Sequence, residues 1–204
     1  MKTTVTIKNL GLKEFDATWN KMKQTISEKD INASHEVWLL EHPSVFTLGK
    51  STKKDEVLIN SCIPVVPTDR GGKATYHGPG QLVAYFIINL KALGWGPRIL
   101  VNELETILVK FLKKYGIDPE TKKGLPGVYV KDKKIASLGL KIKRGFSYHG
   151  VSINVDMDLT PFSFINVCGS RHQKVTQLKD YADIRFEEVR KSFEETIKNE
   201  FITS

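Results

Sequence analysis

Hydrophobic positions recur along this chain with two different periods. Three segments have apolar residues spaced three or four apart, which predicts amphipathic helices. Their apolar stripes are Phe15, Trp19, Met22 and Ile26; Leu100, Leu104, Ile107, Leu108, Phe111 and Leu112; and Val189, Phe193, Ile197 and Phe201. Pro97 is suited to open the second helix because its missing N–H is not needed in the first turn, and Gly116 is suited to end it.

Other segments are apolar over short consecutive or alternating positions, which predicts β-strands. They are residues 36–42, 45–49, 81–90, 127–130, 134–142 and 146–155. The segment 81–90 is apolar at almost every position, which indicates a central strand buried on both faces. Strands interleaved with a few helices predict an α+β fold, and we expect a single domain over residues 1–204.

Directly before that central strand, the chain is rich in glycine and in polar side chains. RGGKATYHGPGQ, residues 70–81, contains four glycines together with Arg70, Lys73, Tyr76 and His77. Such a cluster serves either a tight turn or a ligand that lies against the main chain. The segment lacks the GK[ST] ending of a Walker A loop and leads into a strand rather than a helix, so a phosphate-binding loop is disfavoured.

Composition narrows the class of protein. No apolar run approaches the length of a membrane span, and we expect the N-terminal residues to be neither a secretory signal nor a transit peptide, because they contain acidic residues and no apolar h-region. The cysteines Cys62 and Cys168 are far apart and have no metal-ligand spacing, so we expect a reducing, cytoplasmic location. The formal net charge of +8 favours an acidic partner, either nucleic acid or a small acidic protein, although a merely soluble basic surface is also consistent with it.

The candidate nucleophile is Cys168, which precedes Gly169. The residues alone leave two interpretations open, a buried packing thiol or a reactive thiolate. Only about 3% of an ordinary thiol is ionised at pH 7, so a nucleophilic Cys168 needs a cation or base nearby. Lys134 opens an apolar strand and is either a solvated surface charge or a partly buried amine able to supply that help.

The remaining candidates are weaker. Cys62 lies beside Ile63 and Val65, and we expect it to be buried in the core. His77 and His149 each precede a glycine and are expected to be hydrogen-bonded structural residues. No grouping of histidine and cysteine predicts a metal site.

Read together, these segments resemble the lipoyl(octanoyl) transferases, also called the lipoate-protein ligase B family. The matching blocks, in the family's order, are LLEHPSVFTLG (39–49), RGGKATYHGPGQ (70–81), GLPGVYV (124–130), KIASLGLKI (134–142), HGVSINV (149–155) and NVCG (166–169). Val167 is a departure, because the family usually has proline before the cysteine. The resemblance implies a mixed, largely antiparallel sheet flanked by helices, the biotin and lipoate ligase-like (class II synthetase-like) fold.

The resemblance also implies an activity and a site. Such an enzyme takes an octanoyl group from octanoyl-acyl carrier protein onto Cys168 as a thioester, with Lys134 as its partner. It then passes the group to a lysine of the lipoyl domains of 2-oxoacid dehydrogenase E2 subunits or of the glycine cleavage H protein. The implied acyl pocket is lined by Arg70, Gly71, Gly72, Lys73, Ala74, Thr75, Tyr76, His77, Ser137, Leu138, Gly139, Gly150, Val151 and Ser152. The glycines of 70–81 are expected to fold over this pocket, with the apolar strand as its floor.

The implied reaction needs no cofactor, ATP or metal, because the thioester is already activated, and it involves neither nucleic acid nor membrane. Two alternatives make different demands. An ATP-dependent lipoate or biotin ligase of the same fold needs an adenylate site and no cysteine, and the GRGRxxR loop of biotin ligases is missing from this chain. A non-catalytic basic binding module would leave Cys168 as packing and Lys134 as a surface charge.

Overall fold

The structure is a computed structural model and describes residues 5–30, 33–53, 62–165 and 173–203. Ten strands form its two sheets. They are β1 (Val5–Leu12), β2 (His35–Glu41), β3 (Val45–Leu48), β4 (Val65–Pro67), β5 (Thr75–His77), β6 (Gln81–Ile87), β7 (Glu120–Lys122), β8 (Leu125–Val130), β9 (Lys133–Lys143) and β10 (Phe146–Asn154). The larger sheet has seven strands in the order β1-β2-β6-β10-β9-β8-β7, and the smaller has the order β4-β3-β5.

Strand direction confirms the predicted sheet type. In the large sheet β1 pairs with β2 in parallel, whereas every other neighbouring pair is antiparallel. The sheet is therefore mixed and largely antiparallel, and with its flanking helices it forms an α+β fold. As predicted from its apolar run, β6 occupies the interior of the sheet, and all of its residues are buried.

Four helices cover the sheet. They are α1 (Phe15–Glu28), α2 (Leu90–Leu93), α3 (Pro97–Lys113) and α4 (Phe186–Thr203). Alternate residues of β6 separate the two faces of the sheet: Leu82 packs in the cluster that holds the apolar stripes of α3 and α4, whereas Val83 packs in the cluster under α1. The three predicted amphipathic helices are therefore present, with their apolar stripes directed at the sheet. No helix among the described residues is long and apolar enough to span a membrane.

Two local predictions were wrong. The strand predicted over 81–90 ends at Ile87, because the side chain of Asn89 accepts a hydrogen bond from the Ala92 N–H and caps the short helix α2. Cys62, predicted to be buried, is exposed. Val65 and Val66, which follow it, belong to β4, an edge strand of the small sheet on which Val65 is 45% exposed.

Candidate active site

A cavity of about 740 Å³ lies between the large sheet and the loop that contains Arg70 and Gly72. Two rows of paired residues cross the sheet beneath it. One row joins Tyr85, Gly150 and Gly139, and the other joins Val83, Ser152, Ser137 and Gly127. Directly paired residues of an antiparallel sheet share a face. Glycine and serine at the centre of both rows therefore leave space above the sheet, and this space is the slot.

The glycine-rich loop forms the opposite wall by bonding to the sheet through its backbone. The Gly71 N–H donates to the Leu140 carbonyl at 2.8 Å, and the Ser51 N–H donates to the Gly72 carbonyl at 3.1 Å. A Cβ on Gly49 would lie 2.3 Å from that same carbonyl oxygen, which is too close for any side chain. Close approach of main chain to main chain therefore accounts for Gly49, whereas Gly72 is required by its backbone conformation, which has φ +82°.

Arg70 holds the loop in place from within. Its guanidinium is buried and donates to both the carbonyl and the hydroxyl of Thr47, at 2.6 and 2.9 Å, and to the Gly71 carbonyl at 3.1 Å. Burial lowers the pKa of Arg70 to about 10, so it stays charged at neutral pH. No described carboxylate forms an ion pair with it. The cavity wall thus carries a fixed positive charge.

Lys134, the predicted partner of the nucleophile, lies at the cavity and is only 4% exposed. Its ammonium donates to the Pro126 carbonyl at 2.8 Å and lies 5.3 Å from the centre of the Tyr129 ring. Its backbone is fixed on the other side, where the Lys134 N–H donates to the Lys174 carbonyl at 2.9 Å. The sequence left open whether Lys134 is a solvated surface charge or a partly buried amine, and the structure shows that it is buried.

Cys168, the predicted nucleophile, lies outside the described residues. Among the described residues that follow it in sequence, Val175 bridges in parallel to Lys134. The Thr176 N–H also donates to the Lys134 carbonyl, so these residues are hydrogen-bonded to the backbone of the candidate catalytic lysine.

Of the predicted lining residues, all but one border the cavity. They are Arg70, Gly71, Gly72, Lys73, Ala74, Thr75, His77, Ser137, Leu138, Gly139, Gly150, Val151 and Ser152. Tyr76, which was also predicted to line the pocket, faces the other way. It alternates with Thr75 and His77 on β5, so it packs on Phe46 and Phe162 in the small-sheet cluster.

Gly78 and Gly80, the second pair of glycines in the motif, do not fold over the pocket as the sequence predicted. Gly78 and Gly80 do not border the cavity. A Cβ on Gly80, which has φ +83°, would lie 1.8 Å from the Asp156 carbonyl oxygen. The same backbone is bonded there, since the Val155 and Asp156 N–H groups both donate to the Gly80 carbonyl. These glycines therefore make a tight turn, whereas Gly71 and Gly72 make the cavity wall.

Sequence reasoning missed a cluster at the cavity around Asp69. Its carboxylate accepts hydrogen bonds from Trp19 at 3.0 Å, from His149 at 2.9 Å and from the Tyr148 hydroxyl. Burial raises the pKa of Asp69, but the three donors outweigh it and hold that pKa well below its usual range. His149 has φ +59°, a backbone conformation uncommon for residues other than glycine. The one available signal was the position of Asp69 directly before Arg70.

Beneath the slot, neutral histidines complete the polar network. His77 bonds to Gln81 at 2.7 Å, and burial lowers its pKa to about 3. His42 bonds to the Lys13 carbonyl and to the Tyr85 hydroxyl at 2.6 Å, and burial lowers its pKa to about 4. Since His42 donates to the carbonyl through Nδ1, its Nε2 accepts from Tyr85. His77 is the hydrogen-bonded structural residue that the sequence predicted, although it also borders the cavity.

The fold is that of the lipoate and biotin ligases. A putative lipoate protein ligase from T. acidophilum, solved with bound lipoic acid, superposes with a TM-score of 0.76 at 16% identity, over 98% of this chain and 86% of that one. A biotin protein ligase from Aquifex aeolicus superposes with a TM-score of 0.54 at 15% identity, over 98% and 70% of the two chains. At such identities the likeness establishes the fold alone.

Sequence relationships define the family more narrowly. Residues 17–198 match the lipoyl protein ligase A/B catalytic domain, and the chain belongs to that family. An octanoyltransferase of Pseudomonas syringae pv. syringae is 48% identical over 93% of this chain and 87% of its own length. An octanoyltransferase of Legionella pneumophila is 45% identical over 96% of this chain and 98% of its own length.

Proposed function

We propose that this chain is an octanoyltransferase. It moves an octanoyl group from octanoyl-acyl carrier protein to a lysine of a lipoyl domain through a thioester on Cys168. Relatives named octanoyltransferase at 45–48% identity support the reaction. The structural observation that carries the proposal is the slot with a floor of glycine and serine and a buried lysine, Lys134, at its edge.

The slot suits a linear acyl chain. Lys134 and the run from Ser137 to Ile142 on β9 border the cavity, and the five residue steps of that run alone correspond to about 17 Å. An extended octanoyl chain is shorter than this, so it fits along the strand with its carbonyl beside Lys134. Of the apolar residues that border the cavity, Val83 shares a sheet face with Ser152 and Ser137, and its side chain contributes a wall that favours a hydrocarbon over a polar ligand.

In the first half-reaction, the Cys168 thiolate attacks the carbonyl carbon of the thioester substrate. The carbon–sulfur bond to the acyl carrier protein breaks, and the leaving thiolate takes a proton. A lysine ammonium beside the cysteine stabilises its thiolate and can supply that proton. Lys134 is the buried lysine of the cavity and is assigned to this role.

In the second half-reaction, the amine of the acceptor lysine attacks the thioester on Cys168. An amide bond forms, the carbon–sulfur bond breaks and the Cys168 thiolate is restored. The attacking nitrogen must lose a proton, which Lys134 in its neutral form takes as general base. The net result is acyl transfer with no other co-substrate.

The partners are proposed from charge as well as chemistry. Acyl carrier proteins and lipoyl domains are typically acidic, and this chain carries a net charge of +8. Lysines 50, 73 and 141 border the cavity, whereas Asp69 is the single acidic residue among its described lining. Long-range attraction of this kind raises the rate of encounter.

The decisive experiment is incubation with octanoyl-acyl carrier protein without ATP, followed by intact and peptide mass spectrometry. One octanoyl group is expected on Cys168, none in Cys168→Ala, and full labelling in Cys62→Ala, which removes the other cysteine. Transfer from free octanoate only when ATP is present would favour a ligase instead. Tight, salt-sensitive binding of a bare DNA duplex without acyl labelling would favour a basic binding module.

The role of Lys134 is tested with a neighbouring control. Lys134→Ala is expected to lower turnover by about 100-fold or more, the usual size of a general acid–base contribution. Lys133→Ala removes an exposed lysine from the same strand and is expected to have little effect. Near-normal turnover in a folded Lys134→Ala enzyme would remove Lys134 from the mechanism.

A further inference from the structure

We propose that Gly127 is a positioning residue for Lys134, and that it sets how far the ammonium reaches into the cavity. The inference rests on the proposed function, since it concerns the lysine assigned to acyl transfer. It also gives a specific role to the second glycine of the GLPGVYV block, whose residues Gly124, Leu125 and Pro126 border the cavity. Three observations carry it: a bulge, a steric requirement and a backbone tether.

The bulge redirects Lys134. Along β8 and β9, Val128 pairs with Ala136, but the next residue, Tyr129, pairs with Lys134. Ile135 is therefore an extra residue on β9, and the ladder shifts at this point. Bulges bend a strand and re-aim side chains, and they are frequent beside active sites. Here the shift turns the Lys134 side chain back across β8 toward Pro126, whose carbonyl accepts from its ammonium at 2.8 Å.

The path of that side chain crosses position 127. A Cβ built on Gly127 would lie 2.4 Å from Lys134 Cε and 3.0 Å from Lys134 Nζ. Gly127 also has φ +133°, which residues with a Cβ rarely adopt. Any side chain at position 127 must therefore push the aliphatic end of Lys134 away from the Pro126 carbonyl and the Tyr129 ring.

A tether holds Gly127 against the neighbouring helix. The Gly127 N–H donates to Glu105 Oε1 at 3.0 Å, which joins β8 to α3. On the same helix, Val101 borders the cavity one turn earlier. The backbone of Gly127 is therefore held on one side by Glu105 of α3 and on the other by its pairing with Ser137 of β9. Because the Lys134 side chain crosses Gly127, this fixed backbone sets the position of the lysine relative to the cavity.

The first test compares Gly127→Ala with Gly116→Ala. Gly116 has φ +69° and open space around its Cβ position, so alanine there strains the backbone without touching the site. Gly127→Ala is expected to lower kcat by about 100-fold, as small misplacements of a catalytic group do, with KM for octanoyl-acyl carrier protein changed less than about threefold. Gly116→Ala is expected to keep kcat. Equal kcat values for the two folded variants would overturn the proposal.

A double-mutant cycle distinguishes positioning from general damage. If Gly127 acts through Lys134, Gly127→Ala is expected to lower the residual turnover of Lys134→Ala by less than about twofold. If the substitution merely disturbs the sheet, its loss will multiply with that of Lys134→Ala, and the proposal is wrong. Wild-type protein that forms no octanoyl-enzyme would instead reject the proposed function, and this outcome is visible before any variant is compared.

The Cβ of Gly127→Ala would also lie 2.6 Å from the Ala136 carbonyl oxygen. If that variant does not fold, two milder substitutions at Glu105 provide the test. Glu105→Gln keeps an oxygen that can accept from the Gly127 N–H, whereas Glu105→Ala removes it. Glu105→Ala is expected to lower kcat roughly tenfold relative to Glu105→Gln and to shift the pH profile of kcat, with both proteins folded. Identical profiles for the two Glu105 variants would contradict the inference.

Discussion

Asp69 Oδ1 and His149 Nε2 lie 2.9 Å apart, and this pair joins the glycine-rich loop to the central sheet at the cavity. The Trp19 indole donates to the same carboxylate oxygen, which brings in helix α1 as well. Three elements distant in sequence therefore meet at one carboxylate. His149 has a left-handed backbone conformation and directly precedes Gly150, which borders the cavity with Ser152.

Replacing this carboxylate is expected to loosen that junction. Asp69→Asn keeps the shape of the side chain but removes its charge, so the hydrogen bonds from Trp19 and His149 to Oδ1 become neutral and an NH2 group replaces the oxygen that accepts from the Tyr148 hydroxyl. We expect the free energy of unfolding at pH 7 to fall by about 1–3 kcal/mol, because hydrogen bonds to a charged group are stronger than neutral ones. Chemical denaturation measures it. Asp183→Asn, an exposed position with the same change in charge, is the control, and equal stability of the two variants would contradict this account.

Stability is also expected to depend on pH through buried histidines. Burial is the leading cause that lowers the pKa values of His35, His42, His77 and His149, so each gains its proton at a lower pH in the folded protein than in the unfolded chain. Below about pH 6.5 the unfolded chain binds protons that the folded chain does not, and stability therefore falls as pH falls. With folded pKa values of about 4 and 3, His42 and His77 should each cost about 2 kcal/mol between pH 8 and pH 5.

Urea titrations at pH 8, 6.5 and 5 measure this loss. His42→Gln provides the matched variant, because glutamine does not titrate in this range. It is expected to be less stable than the parent at pH 8, but its loss between pH 8 and pH 5 should be smaller by about 2 kcal/mol. An unchanged loss would show that His42 is not neutral in the folded protein.

The sequence predicted the parts of the fold that depend on periodic burial. Each of these elements has a hydrophobic pattern with the period of a helix or of a strand; they are the stripes of α1, α3 and α4 and the strands β2, β6, β9 and β10. It did not predict β1, whose residues are mostly exposed, or β7, which is short and polar. Such strands are defined by pairing with a neighbour rather than by their own side chains.

The candidate site was likewise predicted only in part from the sequence. Its main-chain walls were visible in the glycines of residues 70–81 and in the 134–142 block. Asp69 was not, because its importance arises from Trp19 and His149, which only the folded chain brings together. Tyr76 was misplaced because a motif does not reveal which face of β5 each residue takes. Strand alternation decides that, and the strand itself was not predicted.

Gly80 of the motif and Gly94, which lies outside it, are expected to differ sharply in their tolerance of a side chain. At Gly80, alanine would meet the Asp156 carbonyl oxygen at 1.8 Å, in backbone that two hydrogen bonds hold in place. At Gly94, which has φ +66°, alanine would meet nothing within 4 Å. We expect Gly94→Ala to cost about 1–2 kcal/mol from backbone strain alone, and Gly80→Ala to cost more than about 3 kcal/mol. Melting curves measure both, and equal costs would show that the turn at Gly80 rearranges freely.

Lysines at the cavity are expected to speed encounter with an acidic acyl donor. Lys50 and Lys141 border the cavity, and neither forms an ion pair with a described carboxylate, so their charge is available to a partner. The double variant Lys50→Glu, Lys141→Glu should lower kcat/KM for octanoyl-acyl carrier protein about tenfold or more at low salt, with kcat at saturation nearly unchanged. The difference should shrink as salt rises, because screening shortens the range of the field to about 8 Å at physiological ionic strength. Lys113→Glu with Lys191→Glu makes the same change in net charge at exposed helical positions outside the cavity lining. If that control pair loses as much, net charge rather than the cavity lysines governs encounter, and the proposed approach of the donor to this face is wrong.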